Sequence, residues 1–139
     1  MTDERKLNEN EEEETKKEPE FGLFERILKT RNILLSGELN KILAEKVIRQ
    51  LILLEAESEE PIRVFIDTPG GEADAGFAVF DMMRFVKPPI STIGMGLVAS
   101  AGAIVLLAAP KERRLGLPNS HYLIPVSYTH LRAHETVLD

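Results

Sequence analysis

The 139 residues include no cysteine. That excludes disulfides, Cys-ligated metals and a thiolate nucleophile, and it suits a reducing compartment. Basic charge is also in short supply: 17 Lys and Arg stand against 23 Asp and Glu, a formal net charge of −6. No basic patch is visible, so nucleic acid phosphates are not an expected partner. A secretory signal is missing as well, because Met1–Glu20 is polar almost throughout and lacks the basic-then-apolar order of such a segment. A long apolar run is almost lacking. Ile90 to Ala109 is free of charge over twenty residues, enough to span a bilayer by length alone. Ser91, Thr92, Gly94, Gly96, Ser100 and Gly102 within it, and Pro88-Pro89 just before it, favour a buried strand followed by a buried helix. No membrane span is expected.

The acidic surplus sits at one end. Residues 1–20 hold nine acidic and four basic side chains, including the run Glu11–Glu14, and almost nothing apolar. Such a segment cannot offset the entropy of ordering by burial and reads as a disordered acidic tail. Apolar spacing resumes at Phe21, Leu23, Phe24, Ile27 and Leu28. From Phe21 onward the chain holds one domain's worth of core.

Asn32–Ser36 reads as a short strand, and Gly37 and Asn40 permit a turn. From Asn40 the period becomes helical. Leu43, Ala44, Val47, Ile48, Leu51 and Leu54 form an apolar face, with Glu45, Lys46, Arg49 and Gln50 opposite. Ile42, Ile52 and Leu53 fall toward the polar side, which points to packing on more than one face. Glu57–Pro61 closes that helix. Ile62–Asp67 is a strand by β-branched content, and Thr68-Pro69-Gly70-Gly71 is the turn after it. Ala73–Phe85 reads as a helix stopped by Lys87-Pro88-Pro89. Ile90–Met95 is a strand, Ser100–Ala109 a small-residue helix ended by Pro110, and Leu115–Leu117 a further short strand. Strand and helix alternate with short links, so the fold class is α/β with parallel pairings.

Two Gly-rich turns each follow a strand: Asp67-Thr68-Pro69-Gly70-Gly71, and Gly94-Met95-Gly96 with Ser100 four residues later. Glycine leaves backbone N–H groups unshielded by a Cβ. Ser100 at a helix start has its hydroxyl near unpaired amides, where a developing oxyanion is favoured. Two readings stand at this point: Ser100 as a simple N-cap, or Ser100 as a nucleophile. Neither turn has the spacing of a phosphate-binding P-loop.

Thr68-Pro69-Gly70-Gly71-Glu72-Ala73-Asp74-Ala75-Gly76 resembles the Ser-Pro-Gly-Gly segment of the Clp protease proteolytic subunits. The resemblance continues through Phe80-Asp81-Met82-Met83, Ser91-Thr92-Ile93-Gly94-Met95-Gly96, Ala99-Ser100-Ala101-Gly102-Ala103 and Leu117-Pro118-Asn119-Ser120. Upstream, Arg31–Gly37 and Leu53–Glu57 also fit, so it covers about residues 21–124. It implies the ClpP/crotonase-like α/β fold and serine endopeptidase activity through an acyl-enzyme. The nucleophile falls on Ser100 and the oxyanion-hole amides on Gly71 and Ala101. An extended substrate backbone falls alongside Gly70 and Gly71. It further implies a cytoplasmic subunit of stacked, heptameric rings, with unfolded proteins and peptides as substrates and a Clp-type ATPase unfoldase as partner. The partner uses ATP; the subunit itself needs no cofactor and no metal. Related alternatives are a membrane-associated, signal-peptide-peptidase-like protease and a non-catalytic ring subunit. A crotonase-like acyl-CoA enzyme shares the fold and the oxyanion logic, but the context of Ser100 argues against it.

The chain departs from the family pattern at four places. Thr68 stands for the usual Ser, and Ala101 for the usual Met, where the contribution is a backbone N–H. The acidic stretch before Phe21 is unlike the family's N-terminal segment, which engages the ATPase. Most consequentially, Pro125 occupies the position of the general base, five residues after Ser120 and 25 after Ser100. Proline has no titratable group and cannot accept the Ser100 proton. His121 shares a strand face with position 125 but lies four residues away, roughly 13 Å, too far to substitute. The family's triad Asp has no counterpart, so residues 21–125 are expected to be a truncated protease domain and the chain inactive or nearly so.

Val126–Thr136 resembles something else, the in-frame translation of a transposase-type sequencing adapter. Residues 126–139 are therefore expected to be non-native. Codon 125 would then combine one native base with adapter CT; proline requires that base to be C, which fits a native His and equally Gln, Leu, Arg or Pro. His130 and His134 have the i,i+4 spacing of a metal pair, a pattern their adapter origin empties of meaning.

Overall fold

The computed structural model describes residues 22–124. The expected acidic tail, Pro125 and the segment 126–139 lie outside the described residues. A first helix covers residues 22–29 (α1) and leads to β1, Asn32–Ser36. In β1 the apolar run alternates: Ile33 and Leu35 are buried, Leu34 half exposed.

Helix α2 spans Lys41–Glu57. Asn40 caps it in an extended conformation, its Oδ1 accepting the Leu43 N–H at 2.9 Å. Ala44, Val47, Leu51 and Leu54 are buried as their spacing predicts. Gln50 is buried too, contrary to its place on the polar side. The reason is α1: Phe24 and Leu28 border one hollow with Gln50 and Leu53, and Lys46 Nζ lies 5.6 Å from the Phe24 ring centre. Gln50 Nε2 donates to Lys46 O, and among the described residues no buried side-chain nitrogen or oxygen lacks a partner. Ile42, Ile52 and Leu53 remain exposed, leaving the second apolar face of α2 uncovered in the single chain. At the helix end the Arg31 guanidinium donates to Leu54 O, which also accepts the Ser58 N–H, and to Ser58 O and Glu60 O just beyond the helix.

Strand β2 (Ile62–Thr68) pairs with β1 in parallel, Ile33 opposite Val64 and Leu35 opposite Ile66. Helix α3, Ala73–Phe85, occupies its expected bounds and returns the chain to β3, Ile90–Ala99. Then come α4 (Ala101–Leu106), a 3-10 turn at Lys111–Arg113, β4 (Arg114–Gly116) and β5 (His121–Leu123). All four pairings are parallel, in the order β1-β2-β3-β4, with β5 continuing along the β3 edge that β4 occupies. The charge-free run thus divides into β3 and α4. No helix among the described residues is long and apolar enough to cross a membrane.

Helix α4 is shorter than the expected Ser100–Ala109. Thr92 Oγ1 donates to Leu106 O at 2.8 Å, and the Leu107 N–H is shared between Ala103 O and Ile104 O, tightening the last turn. The core lies between the sheet and α2, α3 and α4, where Ile33, Leu35, Ile62, Val64, Ile66 and Val98 are buried. The opposite face carries a cross-strand apolar row in register, Leu34, Phe65, Ile93 and Leu115. Its two ends are about half exposed, at 50% and 58%.

Candidate active site

Two turns leave the same end of adjacent parallel strands, β2 and β3. The first is fixed from within and from outside. Thr68 Oγ1 accepts the Gly70 N–H at 3.1 Å, which closes a small side-chain turn at the end of β2. The Leu39 N–H donates to Gly70 O at 2.8 Å, and the Glu72 N–H donates to Leu39 O at 2.8 Å. This bridge uses the atoms on either side of Gly71 and leaves the Gly71 N–H out of it. Gly70 has φ of 95° and Gly71 φ of 150°, values open to glycine and strained for other residues.

The second turn carries Ser100. Its φ is 53° and ψ −120°, and its side chain makes no capping hydrogen bond. An N-cap serine takes an extended backbone and accepts an N–H from the next turn; Ser100 does neither. Its own N–H donates to Leu123 O at 2.8 Å, and its carbonyl accepts the Ala103 N–H at 3.0 Å. The nucleophile candidate is therefore held by its backbone from both sides, while its side chain makes no capping bond to α4. Ala101 occupies the first position of α4, where an N–H has no acceptor inside its own helix.

The two turns touch. A Cβ built on Gly70 would stand 2.5 Å from Ser100 Cβ, 2.8 Å from Ala99 O and 3.4 Å from the Ala101 nitrogen. Small residues bring α4 close in the same way. A Cβ on Gly76 would lie 3.0 Å from Ala101 Cβ, and one on Gly102 would overlap the Thr68 methyl. Of the residues named from sequence, Gly70, Gly71, Ser100 and Ala101 are thus brought to one place. His121 is not: it is exposed and pairs with Leu97, three residues before Ser100. Pro125 lies outside the described residues. The bond from Ser100 to Leu123 does place the exit of β5 beside Ser100. Sequence reasoning missed Leu39 and Leu123, which act only through their backbones and carry no side-chain signal. Among the described residues, no group of three or more metal-ligating side chains is assembled.

The family profile described as Clp protease matches residues 15–137. The chain is 60% identical over 116 residues to ATP-dependent Clp protease proteolytic subunit 2 of Treponema denticola, covering 83% of this chain and 58% of that protein. It is 44% identical over 124 residues to proteolytic subunit 3 of Rhizobium etli, covering 89% of this chain and 62% of the relative. It therefore spans only about three fifths of these relatives' length. Among solved structures, ClpP1 from Listeria monocytogenes superposes with a TM-score of 0.72 at 41% identity, covering 83% of this chain and 72% of that one. The parallel sheet, the joined Gly70 and Ser100 turns, and these matches together establish that the chain belongs to the Clp protease family.

Proposed function

We propose that the protein is a serine endopeptidase subunit in which Ser100 forms the acyl-enzyme. The observation that carries this reading is the backbone of Ser100: left-handed φ, no capping bond from its side chain, and contact with the Gly70 turn. Strained backbone of this kind persists where the surroundings over-determine it, and it clusters at reactive residues.

In the reaction, Ser100 Oγ attacks the scissile carbonyl carbon and its proton passes to a base. The carbonyl oxygen takes the developing charge between the N–H groups of Gly71 and Ala101. The base returns its proton to the leaving amine as the acyl-enzyme forms, and water then releases the acyl group. An extended substrate alongside Gly70 and Gly71 would be aligned by backbone hydrogen bonds. The base belongs at position 125, just beyond the strand whose Leu123 O holds Ser100. Proline there has no proton acceptor, so the chain with this C-terminus is inactive or nearly so. Residues 126–139 are read as foreign to the protein, which leaves His, Gln, Leu, Arg or Pro as the native residue at 125, and of these His is the one the mechanism requires.

The exposed apolar residues of α2 and the exposed ends of the sheet row, Leu34 and Leu115, are surfaces that further subunits would cover. They accord with assembly into stacked heptameric rings in the cytoplasm. A separate ATP-consuming unfoldase would deliver unfolded chains to the enclosed sites.

The test is a serine-reactive fluorophosphonate on the full-length protein, followed by intact mass and peptide mapping. One adduct on Ser100 is expected. No adduct in a correctly assembled protein, even with its ATPase present, contradicts the reading and leaves a non-catalytic ring subunit.

A further inference from the structure

Strands β2 and β3 do not run one-for-one to the site. They pair through Ile66 opposite Gly94 and resume with Thr68 opposite Val98. Between those points β2 advances two residues and β3 four. The surplus loops out around Met95–Leu97, where Gly96 takes φ of 60°. Such a bulge unpairs backbone groups and re-aims the chain beyond it.

The Asp67 side chain fills the gap. Its Oδ1 accepts the Leu97 N–H at 3.2 Å, supplying the partner that the interrupted ladder withholds. Its carboxylate also lies over the Cα of Gly96. A Cβ there would stand 2.7 Å from Oδ1, 3.0 Å from Cγ and 3.1 Å from Oδ2. Asp67 is tied on its other side as well, its carbonyl accepting the Gly37 N–H at 3.1 Å. The next residue, Thr68, closes the turn that holds Gly70. A single short stretch therefore sets both halves of the candidate site.

Beyond the bulge, β3 runs beside β5 from Leu97 to Ala99, and Ser100 follows directly. Side chains alternate along a strand, so a slip of one residue at the bulge would turn every later side chain to the opposite face. The number of residues looped out thus decides which way Ser100 leaves the sheet.

Resting on the reading of Ser100 as the nucleophile, we propose that Asp67 is its positioning residue. The carboxylate locks the bulge at Met95–Leu97, and through it the phase of β3, so that Ser100 faces the Gly70-Gly71 turn. The role requires a short side chain with a planar acceptor oxygen. Asparagine keeps that oxygen; leucine keeps the shape and loses it.

The test compares Asp67→Asn, Asp67→Leu and Asp67→Ala in the full-length protein by hydrogen–deuterium exchange of peptides covering residues 94–101, with fluorophosphonate labelling measured in parallel. Removing the acceptor should speed exchange at Leu97 and Ser100 by about tenfold, the factor for one lost hydrogen bond, while the β1–β2 ladder exchanges as before. Labelling should slow by a similar factor or more, and Asp67→Asn should restore both. If Asp67→Leu does not assemble, Asp67→Ala decides. Wild-type exchange at Ser100 in the acceptor-less variants overturns the proposal, as does an Asp67→Asn protein as impaired as Asp67→Leu. Exchange does not depend on turnover. A protein whose Ser100 never labels, yet whose exchange responds as described, overturns the nucleophile reading and keeps Asp67 as the lock of the bulge.

Discussion

Gly70 and Ser100 are packed so closely that the hydrogen on one Cα takes the place a side chain would need. A Cβ on Gly70 would stand 2.5 Å from Ser100 Cβ, and the φ of 95° already disfavours any other residue. Gly70→Ala would strain the backbone by about 1–3 kcal/mol and push the two turns apart. A displacement of roughly 1 Å at a reacting centre costs on the order of a hundredfold in rate. Fluorophosphonate labelling of Ser100 in full-length Gly70→Ala should fall by about that factor, with a lower unfolding midpoint. Wild-type labelling would show that the contact does not matter.

Thr68 and Gly102 form a second tight pair, and its two members can be exchanged against each other. Thr68 is fully buried, and a Cβ on Gly102 would overlap its methyl group. Gly102→Ala alone should destabilise by about 1–3 kcal/mol, the usual range for overpacking. Thr68→Ser removes the methyl and keeps the hydroxyl that accepts the Gly70 N–H. The double variant should therefore recover most of the loss. Thermal unfolding of the four proteins measures the coupling, and strict additivity would contradict the contact.

Farther from the site, Asn40→Ala removes the acceptor for the Leu43 N–H at the start of α2. A loss of about 1 kcal/mol is expected, with Asn40→Asp close to wild type. Chemical denaturation checks this, and an unchanged midpoint in Asn40→Ala would show that the cap carries no weight.

Elements are legible where punctuation is local. Helix α3 sits between Pro69-Gly70-Gly71 and Lys87-Pro88-Pro89, and both its ends fall where those residues put them. Strand β1 likewise matches its expected span. The pattern of apolar residues ends β3 at Met95, yet the strand runs to Ala99, because Leu97–Ala99 pair with β5 and Val98 with Thr68, partners distant in sequence. The buried Gln50 and the Arg31 clamp on α2 depend on partners distant in sequence, which periodicity cannot register. The meeting of Gly70 with Ser100 is equally non-local. It is foreseeable from motif resemblance alone, whereas the uncapped, left-handed Ser100 is a property of the fold.

The C-terminal reading is checked by amplifying the source locus across codon 125. His at 125, followed by a continuation unlike Val126–Asp139 and containing a later Asp, is expected. Genomic reads that reproduce the present C-terminus would refute the foreign origin of that segment and, with it, the expectation of an active full-length enzyme.

The most direct test of Ser100 as the nucleophile is peptide turnover by full-length Ser100→Ala against wild type, both shown by light scattering to assemble alike and both supplied with the ATPase partner. Wild type should turn over a short peptide, and Ser100→Ala should retain on the order of a millionth of that rate, the loss seen when a triad nucleophile is removed. Equal turnover in a correctly assembled Ser100→Ala protein would contradict the assignment.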